Sequence, residues 1–369
     1  MKVLYFSVTA GQGHNMCAKA SMEYLQDHGV DCTMVDTFGY INPLLGESVA
    51  RGYIYATVYS REVYASAYYL ASKRKPHKRI SFNRITHKLL SKKLVKYVAE
   101  YKPDVIVCTH VFAAEMITEL VKKGHYSGPT IGIMTDFTMH PYWEETDLSY
   151  YVLPNDLLRN QFMKKGLTPE KILPFGIPVF KKFLVKRTKT EAREMLGIPD
   201  KQTILLMAGG TGFGNLTKII RKLDALPLDF QMLAVCGGNK RLKTRIDKLV
   251  TQKDLFVHGF VNNVEVMMDA ADCLVSKPGG LTTSEALTKQ LMLIVPDAIP
   301  GQEERNLEFL LNSGLAMKVT PNFGVDECIY QFLCNPERAS GANFMLAQVA
   351  KPNAAKDLGD FIIEIGASR

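Results

Sequence analysis

The chain contains no apolar run of about eighteen residues, so nothing in it reads as a membrane-spanning helix. Its seven cysteines, at positions 17, 32, 108, 236, 273, 328 and 334, are odd in number. No two have the spacing of a zinc or redox site. Several lie inside apolar runs, as in Val105-Ile106-Val107-Cys108, where a small buried thiol is expected, and this favours a reducing cytoplasm. Asp-x-Asp spacing is also absent, so no metal or other cofactor is required by the pattern. Between Glu62 and Glu100 there is no acidic residue at all.

What is present describes a globular protein of two domains. The 369 residues exceed what one core usually supports, and 47% apolar with 22% charged is an ordinary soluble balance. A formal charge of +8 favours anionic partners without naming them. The opening run Met1-Lys2-Val3-Leu4-Tyr5-Phe6-Ser7-Val8 is too short for a signal peptide and suits a first buried strand. Continuous apolar runs at 3–8, 31–35, 105–108, 130–134 and 150–153 predict strands in the first half. Runs at 204–208, 231–235, 255–257, 273–276 and 292–295 do so in the second. Helical patterns such as 18–28 and 284–289 lie between them. Strands that are apolar throughout imply sheets covered on both faces, hence parallel α/β layers. Gly176, Pro178 and a basic cluster interrupt the pattern within 175–189. The expected division is 1–178, 179–350 and a C-terminal helix, 351–369.

Each half opens with a strand running into glycines: Gly11-Gln12-Gly13-His14 and Gly209-Gly210-Thr211-Gly212-Phe213-Gly214. In open α/β sheets ligands bind beyond the carboxyl ends of the strands. The segment Lys277-Pro278-Gly279-Gly280-Leu281-Thr282-Thr283-Ser284-Glu285 follows a buried strand directly. Gly279 and Gly280 allow close backbone approach, Thr282, Thr283 and Ser284 are candidate caps, and a helix N-terminus binds phosphate. Glu285, one turn in, suits two ribose hydroxyls. The glycine turn with Gly209, Gly210 and Thr211 is placed to cradle the same diphosphate. Gly237, in Val235-Cys236-Gly237-Gly238-Asn239, marks a third strand-to-glycine junction. Phe260 and Val261 offer a ring and backbone groups to a base, and Gln302, Glu303 and Asn306 open a helix with polar groups where a sugar can lie.

Met134-Thr135-Asp136-Phe137, the Lys277–Leu287 segment and Pro300-Gly301-Gln302-Glu303 resemble the family 28 glycosyltransferases. The likeness is to the branch of processive diacylglycerol glucosyltransferases and monogalactosyldiacylglycerol synthases, and it runs from the Gly11–His14 loop to about Gly314. The resemblance implies a GT-B fold: two facing Rossmann-like domains with parallel sheets and an interdomain cleft. It also implies a UDP-sugar donor in the second domain and inversion at the anomeric carbon. It assigns ribose to Glu285, phosphate to Gly209, Gly210 and Gly280, the donor sugar to Gln302 and Glu303, and uracil to Phe260. The Gly209–Gly214 turn is richer in glycine than in this branch, and the motifs are shared by glucose and galactose users.

Inverting transfer needs a base for the acceptor hydroxyl, and His14, beside Gly13 on the first loop, suits that role. The family places a histidine after Gly-x-Gly here. Asp136 is the carboxylate expected to orient His14 or to act instead, and His110 follows the strand at 105–108. The acid-free segment carries Lys73, Arg74, Lys75, Lys78, Arg79, Arg84, Lys88, Lys92, Lys93 and Lys96, preceded by a tyrosine-rich apolar stretch that includes Tyr68. Tyrosine favours membrane interfaces, and each basic residue near anionic lipid contributes about 1 kcal/mol. The expected partners are therefore a UDP-sugar, a diacylglycerol-type acceptor and an anionic membrane surface, with no nucleic acid, since the aromatics precede the basic run rather than interleave with it. The expected location is cytoplasmic, peripheral on the inner face of the membrane. The alternatives are a UDP-N-acetylglucosamine transferase to another lipid-linked acceptor, a nucleotide-sugar epimerase, and a non-catalytic UDP-sugar sensor. A dinucleotide oxidoreductase is a further rival, because Asp36 ends the second strand about twenty residues past the first glycines. Met16, however, occupies the third glycine position.

Overall fold

The computed structural model describes residues 1–9, 12–44, 46–48, 52, 55, 60–73, 83–208 and 215–367; the side chains of 67, 71–73 and 83–91 lie outside the description. The chain divides into two compact units. The first comprises Met1–Lys181, Pro300–Gln302 and Lys351–Arg369, and the second Lys182–Ile299 and Glu303–Ala350.

The first unit is built on six strands: β1 (Lys2–Ser7), β2 (Asp31–Asp36), β3 (Val105–Cys108), β4 (Thr130–Ile133), β5 (Tyr150–Val152) and β6 (Ile172–Leu173). Their order is β2-β1-β3-β4-β5-β6, with parallel pairing throughout. Val3–Phe6 and Val105–Cys108 are completely buried, as uninterrupted apolar strands require. The helix Ala354–Ala367 packs on the helix Gly13–Asp27. A Cβ at Gly359 would stand 2.2 Å from the Tyr24 ring, so only glycine permits this approach. The Tyr24 hydroxyl donates to Asp360 at 2.6 Å across the same contact.

The second unit has β7 (Thr203–Met207), β8 (Gln231–Val235), β9 (Leu255–His258), β10 (Cys273–Val275), β11 (Met292–Val295) and β12 (Ala316–Lys318), ordered β12-β11-β10-β7-β8-β9 and again parallel. On the helix Leu216–Asp224 the buried residues are Leu216, Ile219, Ile220 and Leu223, a single apolar stripe at helical spacing. The helix Lys189–Leu196 begins with a Thr188/Glu191 capping box and ends at Gly197, φ 65°. Its Arg193 is buried and donates to Asp200, Asp272 and the Ala270 carbonyl at 2.8–3.1 Å, tying this helix to the start of β10.

The ten strands expected from apolar runs all form, within a residue at either end. β6 and β12 escaped because edge strands of two and three residues carry almost no pattern.

Candidate functional site

In each sheet the order reverses beside one strand, so the loops leaving two neighbouring strands run in opposite directions and leave room beyond their carboxyl ends. In the first sheet this point lies between β1 and β3, followed by the start of the helix Gly13–Asp27 and by Thr109–His110. The topology thereby brings His14 and His110 together, their ring centroids 4.6 Å apart and their planes at 70°.

His14 Nδ1 lies 2.8 Å from the Thr109 carbonyl and 2.9 Å from Thr135 Oγ1. A carbonyl can only accept, so Nδ1 carries the proton and Nε2 keeps its lone pair. Nε2 makes no hydrogen bond among the described residues. Burial lowers the pKa of His14, while the charge of Asp136 and the Thr109 bond act in the opposite direction. Asp136 is half-buried and acts on His14 through its charge; the side chain bonded to Nδ1 is that of Thr135, one residue earlier. His110 accepts the Phe112 N–H at 3.2 Å and caps the helix Val111–Lys122. Burial first, then the neighbouring His14 and His140, hold its pKa well below the ordinary value. Asp36 accepts the Gly39 N–H at 2.9 Å and also bonds the Thr9 backbone and hydroxyl. The carboxylate that an oxidoreductase would turn to a ribose is thus committed to local capping.

In the second sheet the reversal lies between β7 and β10. The loop after β7 contains Gly209, Gly210 and Thr211, which lie outside the described residues. The segment after β10 leads to the helix Gly280–Thr288, with Gly279 at its N-cap and no side-chain cap bond. The expected capping by Thr282, Thr283 and Ser284 does not occur, because the helix starts at Gly280 and places these residues inside it. Ser284 donates back to the Gly280 carbonyl at 3.0 Å, and the buried Thr283 hydroxyl has no hydrogen-bond partner among the described residues. Among the described residues no side chain caps the first-turn N–H groups.

Glu285 is half-buried, and its carboxylate makes no hydrogen bond among the described residues. Desolvation raises its pKa to about 8, with Lys182 opposing and Glu265 assisting the shift. Lys182 is paired with Glu265 at 2.8 Å. Glu303, expected at the donor sugar, is buried with both oxygens occupied: one takes Lys277 Nζ at 2.6 Å, the other the Ile299 N–H at 2.9 Å. Asn306 is completely buried and donates to the Pro278 carbonyl at 3.0 Å. Both side chains hold the Lys277–Gly279 segment. Gln302 lies near the Tyr64 hydroxyl at 3.5 Å. Gly237 adopts φ 57° and opens the turn to a helix capped by Asn239. Phe260 is 77% exposed, with Val261 half-buried beside it.

Tyr68, expected at a lipid surface, is only 5% exposed. Its ring packs on His140 and on Gly301, where a Cβ would come within 2.7 Å and φ is 90°. Burial removes it from any membrane contact. The exposed large apolar and aromatic side chains of the described residues in this stretch include Leu44, Tyr55, Val63, Tyr69 and Leu70. Arg74, Lys75 and Arg79 lie outside the described residues, as does the side chain of Lys73. No described helix is long and apolar enough to cross a membrane.

Thr109, Thr135 and Lys277 were not singled out as site residues from the sequence. Adjacency to Asp136 and to Gly279 was the available signal, but only the paired loops show what these side chains touch.

Residues 14–179 match the monogalactosyldiacylglycerol (MGDG) synthase family, and residues 188–319 match the glycosyl transferases group 1. A processive diacylglycerol beta-glucosyltransferase of Bacillus cytotoxicus is 26% identical over 368 residues, spanning 98% of this chain and 93% of the relative. One from Bacillus cereus is 28% identical over 324 residues, spanning 86% and 82%. Among solved structures, MurG of Acinetobacter baumannii superposes with a TM-score of 0.63 at 17% identity, covering 98% of this chain and 99% of that one. A UDP-GlcNAc 2-epimerase from Neisseria meningitidis reaches 0.59 at 16% identity, each chain covered in full. The resemblance read in the sequence is borne out on both halves, and with it the α/β fold of GT-B type.

Proposed function

From a chain that joins a monogalactosyldiacylglycerol synthase domain to a group 1 glycosyl transferase domain, we propose an inverting hexosyltransferase. It moves glucose or galactose from a UDP-sugar to diacylglycerol or a glycosyl-diacylglycerol at a membrane surface. The observation that carries this reading is the state of His14, with its proton committed at Nδ1 and a free lone pair at Nε2.

The first unit supplies the base. Nε2 takes the proton of the acceptor hydroxyl while the oxygen attacks the anomeric carbon, and the bond from that carbon to the diphosphate oxygen breaks with inversion. The second unit binds the donor. The N–H groups opening the helix Gly280–Thr288 meet the charge developing on the departing diphosphate, joined by the Gly209, Gly210 and Thr211 turn. Glu285 accepts the ribose hydroxyls, Phe260 and Val261 flank the uracil, and Gln302 faces the sugar. Glu303 and Asn306 act by fixing the segment that carries Gly279 and Gly280. Peripheral attachment on the inner membrane face is supported by exposed Val63 and Leu70 on the helix Arg61–Lys73 and by the basic run that follows.

Incubation with UDP-glucose or UDP-galactose and vesicles containing diacylglycerol tests the reading, with glycolipid and UDP formed in equal amounts as the expected result. UDP released without glycolipid would refute it, and transfer only from UDP-N-acetylglucosamine would change the donor class.

A further inference from the structure

We propose that Thr135 and His110 are positioning residues for His14, so that the base is oriented by uncharged partners and has no carboxylate bonded to its imidazole. The inference rests on the reading of His14 as the base.

Three contacts define the arrangement. The His14 Nδ1–H is shared by the Thr109 carbonyl at 2.8 Å and Thr135 Oγ1 at 2.9 Å, groups at the ends of two neighbouring strands, β3 and β4. Turning the ring over would forfeit both bonds, so the strands hold one orientation and one tautomer. The His110 ring closes a third side at 4.6 Å, and is itself fixed because its Nδ1 accepts the Phe112 N–H.

The charged and titratable groups acting on His14 are Asp136 and His110, with His140 acting through His110. Asp136 favours a cation on His14 through its field alone. His110 is buried against the His14 ring, and burial first, then the influence of His14 and His140, disfavours its charged form. A neutral His110 lets His14 accept the acceptor's proton without a second cation beside it. The stronger solution, a carboxylate on Nδ1, would raise the basicity of His14 but also protonate it more readily near neutrality. Neutral partners keep it unprotonated and ready.

The test combines kinetics with a direct view of the tautomer. T135V should lower kcat about tenfold with the donor KM unchanged, and T135S should restore it. H110N retains a side chain able to cap the helix and should cost about the same. It also admits water around His14, so the acid limb of the pH profile should move to higher pH. Nitrogen NMR of the histidine-labelled wild-type chain should show the Nδ1–H form of His14 at neutral pH. This last measurement requires no variant to fold. An Nε2–H tautomer, or T135V and H110N both within twofold of wild type while H14A is inactive, would overturn the proposal. Full turnover by H14A would instead remove the base reading on which it rests.

Discussion

At the scale of single residues, the proposed function turns on His14 as the base and Glu285 at the ribose, and burial shifts both. His14→Ala should cost about two to four orders of magnitude in kcat, the usual contribution of a positioned base, while the donor KM stays near that of wild type. Steady-state kinetics with varied UDP-sugar measures both. Glu285 presents the opposite case, a carboxyl raised to about 8 by desolvation. At neutral pH it holds its proton, and the unfolded chain does not. The native state therefore binds the extra proton between the ordinary glutamate value and about 8, and stability falls as pH rises through that window. Glu285→Gln should flatten this loss, whose full size is on the order of a few kcal/mol. Ribose hydroxyls donate best to the ionised form, so donor affinity should rise between neutral pH and pH 9 in the wild type and not in the glutamine variant. Calorimetric titration with UDP across that range distinguishes the two outcomes, and an unchanged slope in the variant would show that another group is responsible.

At the scale of elements, two helix starts in the second unit contrast. The helix Lys189–Leu196 closes its first turn with the Thr188/Glu191 capping box, so its N–H groups serve the fold. The helix Gly280–Thr288 has glycine at the same position and no side-chain cap, which leaves its first-turn N–H groups open to the donor phosphates of the proposed function. The glycines were legible in the sequence, but the helix start was not. Three consecutive hydroxyl residues at 282–284 read as caps, and tertiary packing began the helix ahead of them. In the first unit the C-terminal helix depends on a glycine facing a ring. Gly359→Leu should lower stability by about 2 kcal/mol through overpacking against Tyr24, visible as a reduced midpoint in thermal unfolding. Gly359→Leu with Tyr24→Ala should recover part of it, because the two changes share one contact.

At the scale of the whole molecule, the excess of cations is the property that no single contact represents. A net +8 with ten basic residues between Lys73 and Lys96 should bind anionic vesicles far better than neutral ones. The binding should weaken steeply as salt shortens the screening length to about 3 Å near 1 M. Vesicle sedimentation across salt measures it, and equal binding to neutral and anionic vesicles would contradict electrostatic docking. Substituting the exposed Val63 and Leu70 by serine should weaken the salt-resistant part of that binding, whereas the buried Tyr68 should contribute to folding alone.

The sequence by itself determined the α/β class and, among the described residues, ten of the twelve strands. Apolar runs encode these locally, through burial on both strand faces. Only the tertiary structure decided which side chains meet. Strand order placed Thr109 and Thr135 on His14, turned Glu303 toward Lys277 and buried Tyr68 beside Gly301. Those outcomes depend on which loops leave neighbouring strands, a property of the sheet that no local stretch of sequence contains.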